Sequence, residues 1–184
     1  MSKVSISGNA SGTGVFTIQA PSSNTDRVLS LPDEAGTVLT SASNVAQKGV
    51  PAFSAYQSSS QTLSSATWTK IQLQAEEFDT ANCFDSTTNY RFTPTVAGYY
   101  QVSGSVRVGD FRTNVIASLF KNGSNFKNIG SDIANDSAQS SGSALIYCNG
   151  TTDYVELYAW ISSGQSLVTG STYTYFQGVM VRAA

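Results

Sequence analysis

The sequence predicts an all-β protein whose larger part folds as an antiparallel jelly-roll β-sandwich. Three observations carry that reading. Apolar residues recur with period two in several runs, whereas no stretch sustains a 3.6-residue period over eight positions. Turn clusters of Gly, Ser and Asn separate those runs from residue 51 onward. Charged residues make up 12% of the chain and hydrophobic residues 40%. The charged share is about half the usual one, so the surface takes its polarity from Ser, Thr, Asn, Gln and Gly while enough apolar area remains for a core.

The elements follow in chain order. VSISG (4–8), VFTIQA (15–20), RVLSL (27–31) and TVLT (37–40) are short strand-like pieces set between turn-rich stretches. They hold too little apolar area to fold alone and would leave strand edges open, so other chains are expected to complete them. Residues 1–45 therefore read as an attachment and trimerisation segment, 46–51 as a linker and 52–184 as the sandwich. TWTKIQL (67–73) predicts a strand, while NVAQKG (44–49) and AEEFD (75–79) suit single turns of helix. From Tyr99 the pattern alternates cleanly: Tyr100, Val102, Gly104, Val106 and Val108 form the expected buried face. VIASLF (115–120) is a strand ended by Lys121-Asn122-Gly123, and Asn-Gly after an apolar run signals a type I′ hairpin. SDIANDSAQSSGS (131–143) reads as an exposed loop and ALIYC (144–148) as a central strand. In 153–161 both faces are bulky, which predicts a strand covered on both sides. TYTYFQGVMV (172–181) closes the fold, for seven or eight strands in all.

Composition closes most catalytic routes. The chain has no His and two Cys, Cys83 and Cys148, so histidine-based nucleophile systems and ordinary zinc sites are excluded. The carboxylates Glu76, Glu77, Asp79 and Asp85, and the looser set Asp132, Asp136 and Asp153, read as solvated loop acids and turn formers. Their spacing shows no glycosidase pair, which needs two carboxylates about 5–10 Å apart. The EF-hand pattern is absent; a structural Ca2+ at such loops is the alternative, and no other cofactor is expected. GNASGTG (8–14) lacks the Gly-Lys-Ser/Thr ending of a phosphate loop. A net charge of −2 without a basic cluster argues against nucleic acid. No run approaches membrane-spanning length, and MSKVSISGNASG has no apolar stretch of the secretory kind, which predicts synthesis in a cytoplasm. In that setting the two cysteines read as small buried hydrophobes, with pairing as the alternative. Tyr154, Tyr158 and Trp160 share one strand face, and Tyr173 and Tyr175 another. Such stripes suit core or interface packing, or a glycan-facing surface.

Residues 52–183 resemble the C1q/TNF-like β-sandwich family. The resemblance rests on Phe92-Thr93-Pro94, then Gly98-Tyr99-Tyr100, with Val102 where the family usually has Phe. Upstream, Phe78 and the Phe84-Asp85 to Tyr90 loop are similar to its aromatic-Asp turn, at a spacing about one residue longer. Leu119-Phe120-Lys121-Asn122-Gly123 matches its hairpin, and Ser141-Gly142 and Phe176 to Gly178 its last strands. The resemblance implies a jelly roll that assembles as a compact homotrimer, with the YRFTPTVAGYYQV stretch (90–102) as architecture: Phe92 in the core, Pro94 ending a strand, Gly98 turning the chain and Tyr100 opening the buried face. Residues 11–43 resemble a segment recurrent in bacteriophage tail fibres and other virion appendages. Together the two imply a virion surface protein that docks on a capsid or tail protein through its N-terminal segment, with host surface glycan as a further expected partner and neither nucleic acid nor membrane.

Overall fold

The computed structural model describes residues 11–15, 17, 19, 22–26, 28, 50–109, 113–134 and 136–184, with residue 134 described by its backbone alone. The chain divides into two units, Met1–Thr40 and Ser41–Ala184. In the first, the described residues form turns, bends and coil, and the Thr25 amide donates to Ser23 Oγ at 3.1 Å. The expected strand pieces and the 46–49 part of the linker lie largely outside the described residues.

The second unit carries β1 (Ala52–Tyr56), β2 (Thr62–Leu63), β3 (Thr69–Lys70), β4 (Ala75–Asp79), β5 (Phe84–Asp85), β6 (Arg91–Phe92), β7 (Gly98–Val108), β8 (Thr113–Lys121), β9 (Ser124–Ala134), β10 (Ala138–Cys148), β11 (Val155–Ile161), β12 (Gln165–Ser166) and β13 (Tyr175–Ala183). One sheet runs β10-β7-β13-β1-β4 and the other β5-β6-β11-β8-β9, with β3 also paired to β11 and a small β12-β2 ribbon beside them. Every pairing is antiparallel. Among the described residues there is no helix. The fold is the antiparallel sandwich expected, with its core between the two sheets.

Alternation places the core side chains. Tyr100, Val102, Val106 and Val108 of β7 face Val115, Ala117 and Leu119 of β8 and Val155, Leu157, Ala159 and Ile161 of β11, all fully buried. Five aromatic rings fill one end. Phe53 stacks on Phe92 at 4.4 Å and on Phe84 at 5.0 Å, and Phe176 meets it edge-on at 5.0 Å. Tyr100 lies edge-on to Phe92, and its hydroxyl donates to the Val96 carbonyl at 2.6 Å. The buried Pro94 lies two residues past the end of β6, so its missing donor interrupts no ladder. Gly178, in β13, lies against the Phe53 ring.

Several expectations are corrected. ALIYC is the C-terminal half of β10, the outermost strand of its sheet, with Leu145 and Tyr147 exposed. Residues 131–143 are mostly strand, because β9 and β10 approach one another there. A Cβ on Gly142 would collide with the Ile129 carbonyl, so glycine is what lets the two sheets meet along this seam. AEEFD is strand β4, not a helical turn, and TWTKIQL keeps only two residues in strand. Gly98 does not turn the chain: it opens β7, and its lack of a side chain admits the Arg182 carbonyl of β13. Asn122 and Gly123, by contrast, hold φ of 52° and 78°, the type I′ turn their sequence predicts, between β8 and β9.

Candidate functional site

The outer face of the β10-β7-β13-β1-β4 sheet is ordered by register. At the Gly98 end, Tyr147 of β10 pairs with Tyr99 of β7, and in the next row Leu145 pairs with Gln101, which pairs with Val179 of β13. Tyr99, Leu145, Tyr147, Val179 and Val181 are all exposed, and Phe78 on β4 is half exposed. The rings of Tyr99 and Tyr147 lie 5.5 Å apart. Farther along, the rows become Ser143–Ser103–Gln177 and Ser141–Ser105–Tyr175. The face thus grades from apolar to uncharged polar. Phe78, Gln101, Gln177 and Val179 border a hollow of about 290 Å3. Tyr99, Leu145 and Val181 border another of about 580 Å3. Pro51 accepts a hydrogen bond from the Met180 amide, so the polypeptide enters the sandwich at this apolar end.

At the opposite end Arg107 lies 4.5 Å over the Tyr173 ring and donates to Ser137 Oγ at 3.3 Å. Tyr173 sits in the turn before β13, whereas Tyr175 is the first residue of that strand, so the two do not form the shared strand face expected of them.

Around Phe120 the outer face of the β5-β6-β11-β8-β9 sheet is closed by contacts of its own, while Ile133 on β9 is exposed. Tyr154, Tyr158 and Trp160 share it, as their spacing predicts, and all are half-buried. Phe120 of β8 stacks on Tyr158 at 3.9 Å, and Trp68 leans on Phe120 at 5.7 Å. Lys70 Nζ meets the buried Glu156 carboxylate at 2.7 Å and donates to the Asn89 carbonyl at 3.2 Å. Burial, and then the negative Glu156 nearby, push the Tyr158 hydroxyl pKa above its ordinary value. Trp68 and the Lys70–Glu156 pair are missing from the sequence reading. Their signal was β3 itself, too short to show a period.

The loop carboxylates act as turn braces. Asp79 accepts from the amides of Ala81 and Phe84. Asp132 accepts from the Gln139 amide. Asp85 accepts from the amides of Thr87, Thr88 and Asn89, from the Thr87 hydroxyl and from Asn89 Nδ2. These bonds, led by the Thr88 amide, hold its carboxyl far below the usual range. Asp153 binds Asn122 Nδ2 at 2.7 Å and Lys121 Nζ at 2.8 Å, and its pKa is lowered by those two contacts in that order. Among the described residues no three His, Cys, Asp or Glu side chains come together as a metal site would need. Cys83 and Cys148 are both free and buried rather than paired, and burial raises the Cys148 thiol to about 11.

On the flank where β4 meets the 82–93 loop lies a polar cleft of about 590 Å3. Arg91 lines it, with its guanidinium 4.4 Å over the Tyr154 ring. Asn82, Ser86, Asn89 and Thr93 line it as well, together with the carboxylates of Glu76 and Asp85.

No family model and no curated protein matches the chain. Solved structures do. The globular domain of zebrafish complement 1qA protein aligns with a TM-score of 0.54 and 16% identity, over 73% of this chain and 99% of that one. The Eiger TNF of S. frugiperda aligns with a TM-score of 0.56 and 9% identity, over 74% and 95%. Murine APRIL at pH 5.0 aligns with a TM-score of 0.53 and 10% identity, over 72% and 99%. At such identities the likeness is one of fold, and the fold is the C1q/TNF-like jelly roll.

Proposed function

We propose that this chain is a homotrimeric, non-enzymatic structural protein of a bacteriophage virion surface, a capsid-decorating protein of the cement or head-fibre kind. The observation that carries the reading is the outer face of the β10-β7-β13-β1-β4 sheet. There Tyr99, Leu145, Tyr147, Val179 and Val181 form apolar rows on an otherwise highly polar chain, with hollows beside them large enough to receive such side chains. An apolar patch of this kind, rimmed by polar residues, marks an association surface. Three copies joined through it would bury an interface in the obligate class of roughly 2,000 Å2 or more. The jelly-roll fold and the resemblance of residues 52–183 favour closure as a trimer. The resemblance of residues 11–43 to fibre-joining segments favours a virion, with residues 1–45 as the attachment.

Light scattering of the full chain is expected to give three times the 19.4 kDa of one copy. A stable monomer would overturn the assembly. Deleting residues 1–45 is expected to abolish incorporation into particles while leaving the sandwich folded, and a truncated chain that still decorates them would overturn the division of labour. The second reading is a short tail fibre or adhesin recognising host surface glycan. The polar cleft beside Arg91 favours it, because it lies on the flank and not on the apolar face. Whole-cell binding of the trimer tests this reading, and absence of binding at high micromolar concentration removes it.

A further inference from the structure

The chain is poor in charge, and several described cations of the sandwich are already engaged. Lys70 is paired with Glu156 and Lys121 with Asp153. Arg107 lies on the apolar-to-polar sheet face and donates to Ser137. Arg91 differs. It sits on β6 beside Asp85 of β5, yet the two form no ion pair, because the Asp85 carboxylate already accepts five hydrogen bonds within its own turn. Among the described residues no carboxylate comes within ion-pair distance of Arg91, and its guanidinium makes no hydrogen bond. Tyr154 holds it by its face, which leaves the N–H edge directed sideways.

That guanidinium lines a cleft of about 590 Å3, inside the span of about 300–1,000 Å3 usual for small-molecule sites. Most of the other polar lining groups are amides and hydroxyls, and the two carboxylates are Glu76 and Asp85, the latter with its oxygens occupied by its own turn. Among the described residues the side chains of Asn82, Ser86 and Thr93 have no hydrogen-bond partner, and Asn89 keeps its amide oxygen open. One fork-shaped cation surrounded by amides and hydroxyls is the chemistry that recognises one carboxylate on a polyhydroxylated frame. A dianionic phosphate fits less well, since the Glu76 and Asp85 carboxylates line the cleft and no second cation does.

We propose that this cleft binds a carboxylate-bearing sugar residue, a uronic or sialic-type acid, with Arg91 forming the paired hydrogen bonds to its carboxylate. This rests on the adhesin reading and names the class of glycan. The test is titration of the full-length protein with D-glucuronate and with N-acetylneuraminate, followed by amide NMR shifts. One of the two is expected to move the amides of residues 82–93 saturably, while D-glucose and acetate do not. Arg91→Gln is expected to weaken binding about tenfold or more, the share of one charge-assisted pair. Asn82→Asp provides a second variant that spares the arginine stack. Asn82 is exposed with φ of 52°, which Asp tolerates, and a carboxylate there is expected to repel the ligand with the fold unchanged. No shift with either acid overturns the site, as do equal shifts with glucose or acetate, or shifts indifferent to both substitutions. A protein that adheres to host cells yet ignores both acids loses this site and keeps the adhesin reading.

Discussion

Both sheets of this sandwich carry aromatic side chains on their outer faces and treat them differently. On the β11 side, Phe120, Tyr158 and Trp68 pack against one another, and the buried carboxylate of Glu156 finds Lys70. On the β10 side, Tyr99, Tyr147 and Leu145 stand in register and stay exposed, with Lys121 Nζ 5.7 Å over the Tyr147 ring. The difference teaches where a partner belongs. Apolar side chains that pack on one another need no other molecule, whereas apolar rows left exposed mark a surface suited to association.

The largest effect expected follows from breaking the open face. Leu145 is 56% exposed in the single chain, so Leu145→Glu leaves the protomer's core untouched. Across an association surface the same change places an unpaired charge against apolar neighbours. Full loss of the proposed trimer is expected, read as a fall in scattering mass to one copy, with far-ultraviolet circular dichroism unchanged. Retention of the trimer by this variant would move the association surface elsewhere.

The converse substitution attacks the closed face. Phe120 is 8% exposed and sandwiched with Tyr158 and Trp68, so Phe120→Ala removes a ring that only its own chain contacts. The expected cost is about 3 kcal/mol of folding stability, the low end for Phe truncation. It should appear in chemical denaturation at fixed chain concentration, because assembly shifts the apparent midpoint by mass action. Scattering mass under native conditions should not change. If Phe120→Ala dissolves the trimer while Leu145→Glu does not, the two faces have been assigned in reverse.

Much of this contrast was legible in the sequence, and its failures have a common cause. The alternation from Tyr99 to Val108 placed both faces of β7, because a period of two follows from the pleat alone. Asn122-Gly123 gave its hairpin because few other residues adopt two consecutive left-handed conformations. ALIYC misled. Five consecutive apolar residues read as a central strand, yet β10 lies at the edge of its sheet. Periodicity reports that Leu145 and Tyr147 belong in an apolar setting and is silent on which molecule supplies it. SDIANDSAQSSGS misled for the reverse reason: polar strands are legible only from the closure that Gly142 permits with Ile129, a contact between segments distant from any pattern. The cleft was not legible either, since Arg91 and Tyr154 lie on β6 and in the turn ahead of β11 and meet only through sheet pairing.

The smallest effect expected concerns the strut that joins the two faces. Lys121, at the end of β8, meets Asp153 at 2.8 Å, donates to the Tyr147 carbonyl at 2.8 Å and lies 5.7 Å over the Tyr147 ring. The Asn122 amide group completes the Asp153 contacts from the hairpin turn. The Asp153 carboxyl therefore has a pKa below its ordinary 3.8 when folded. A group whose folded value is depressed contributes stability above the unfolded pKa and loses it as pH falls through the folded one. At neutral pH Asp153→Asn is expected to cost about 2 kcal/mol, the scale of charge-assisted hydrogen bonds to a nearly buried group. The gap between variant and parent should narrow as pH drops below 3.8, because the parent then loses the same contacts by protonation. Denaturation curves at pH 7 and pH 3 measure both values, and a gap constant across that range would show that Asp153 is not the acid-sensitive member of the strut. Because Tyr147 rides on this strut, the variant should also weaken the trimer slightly at neutral pH. That coupling is what would join the closed face to the open one.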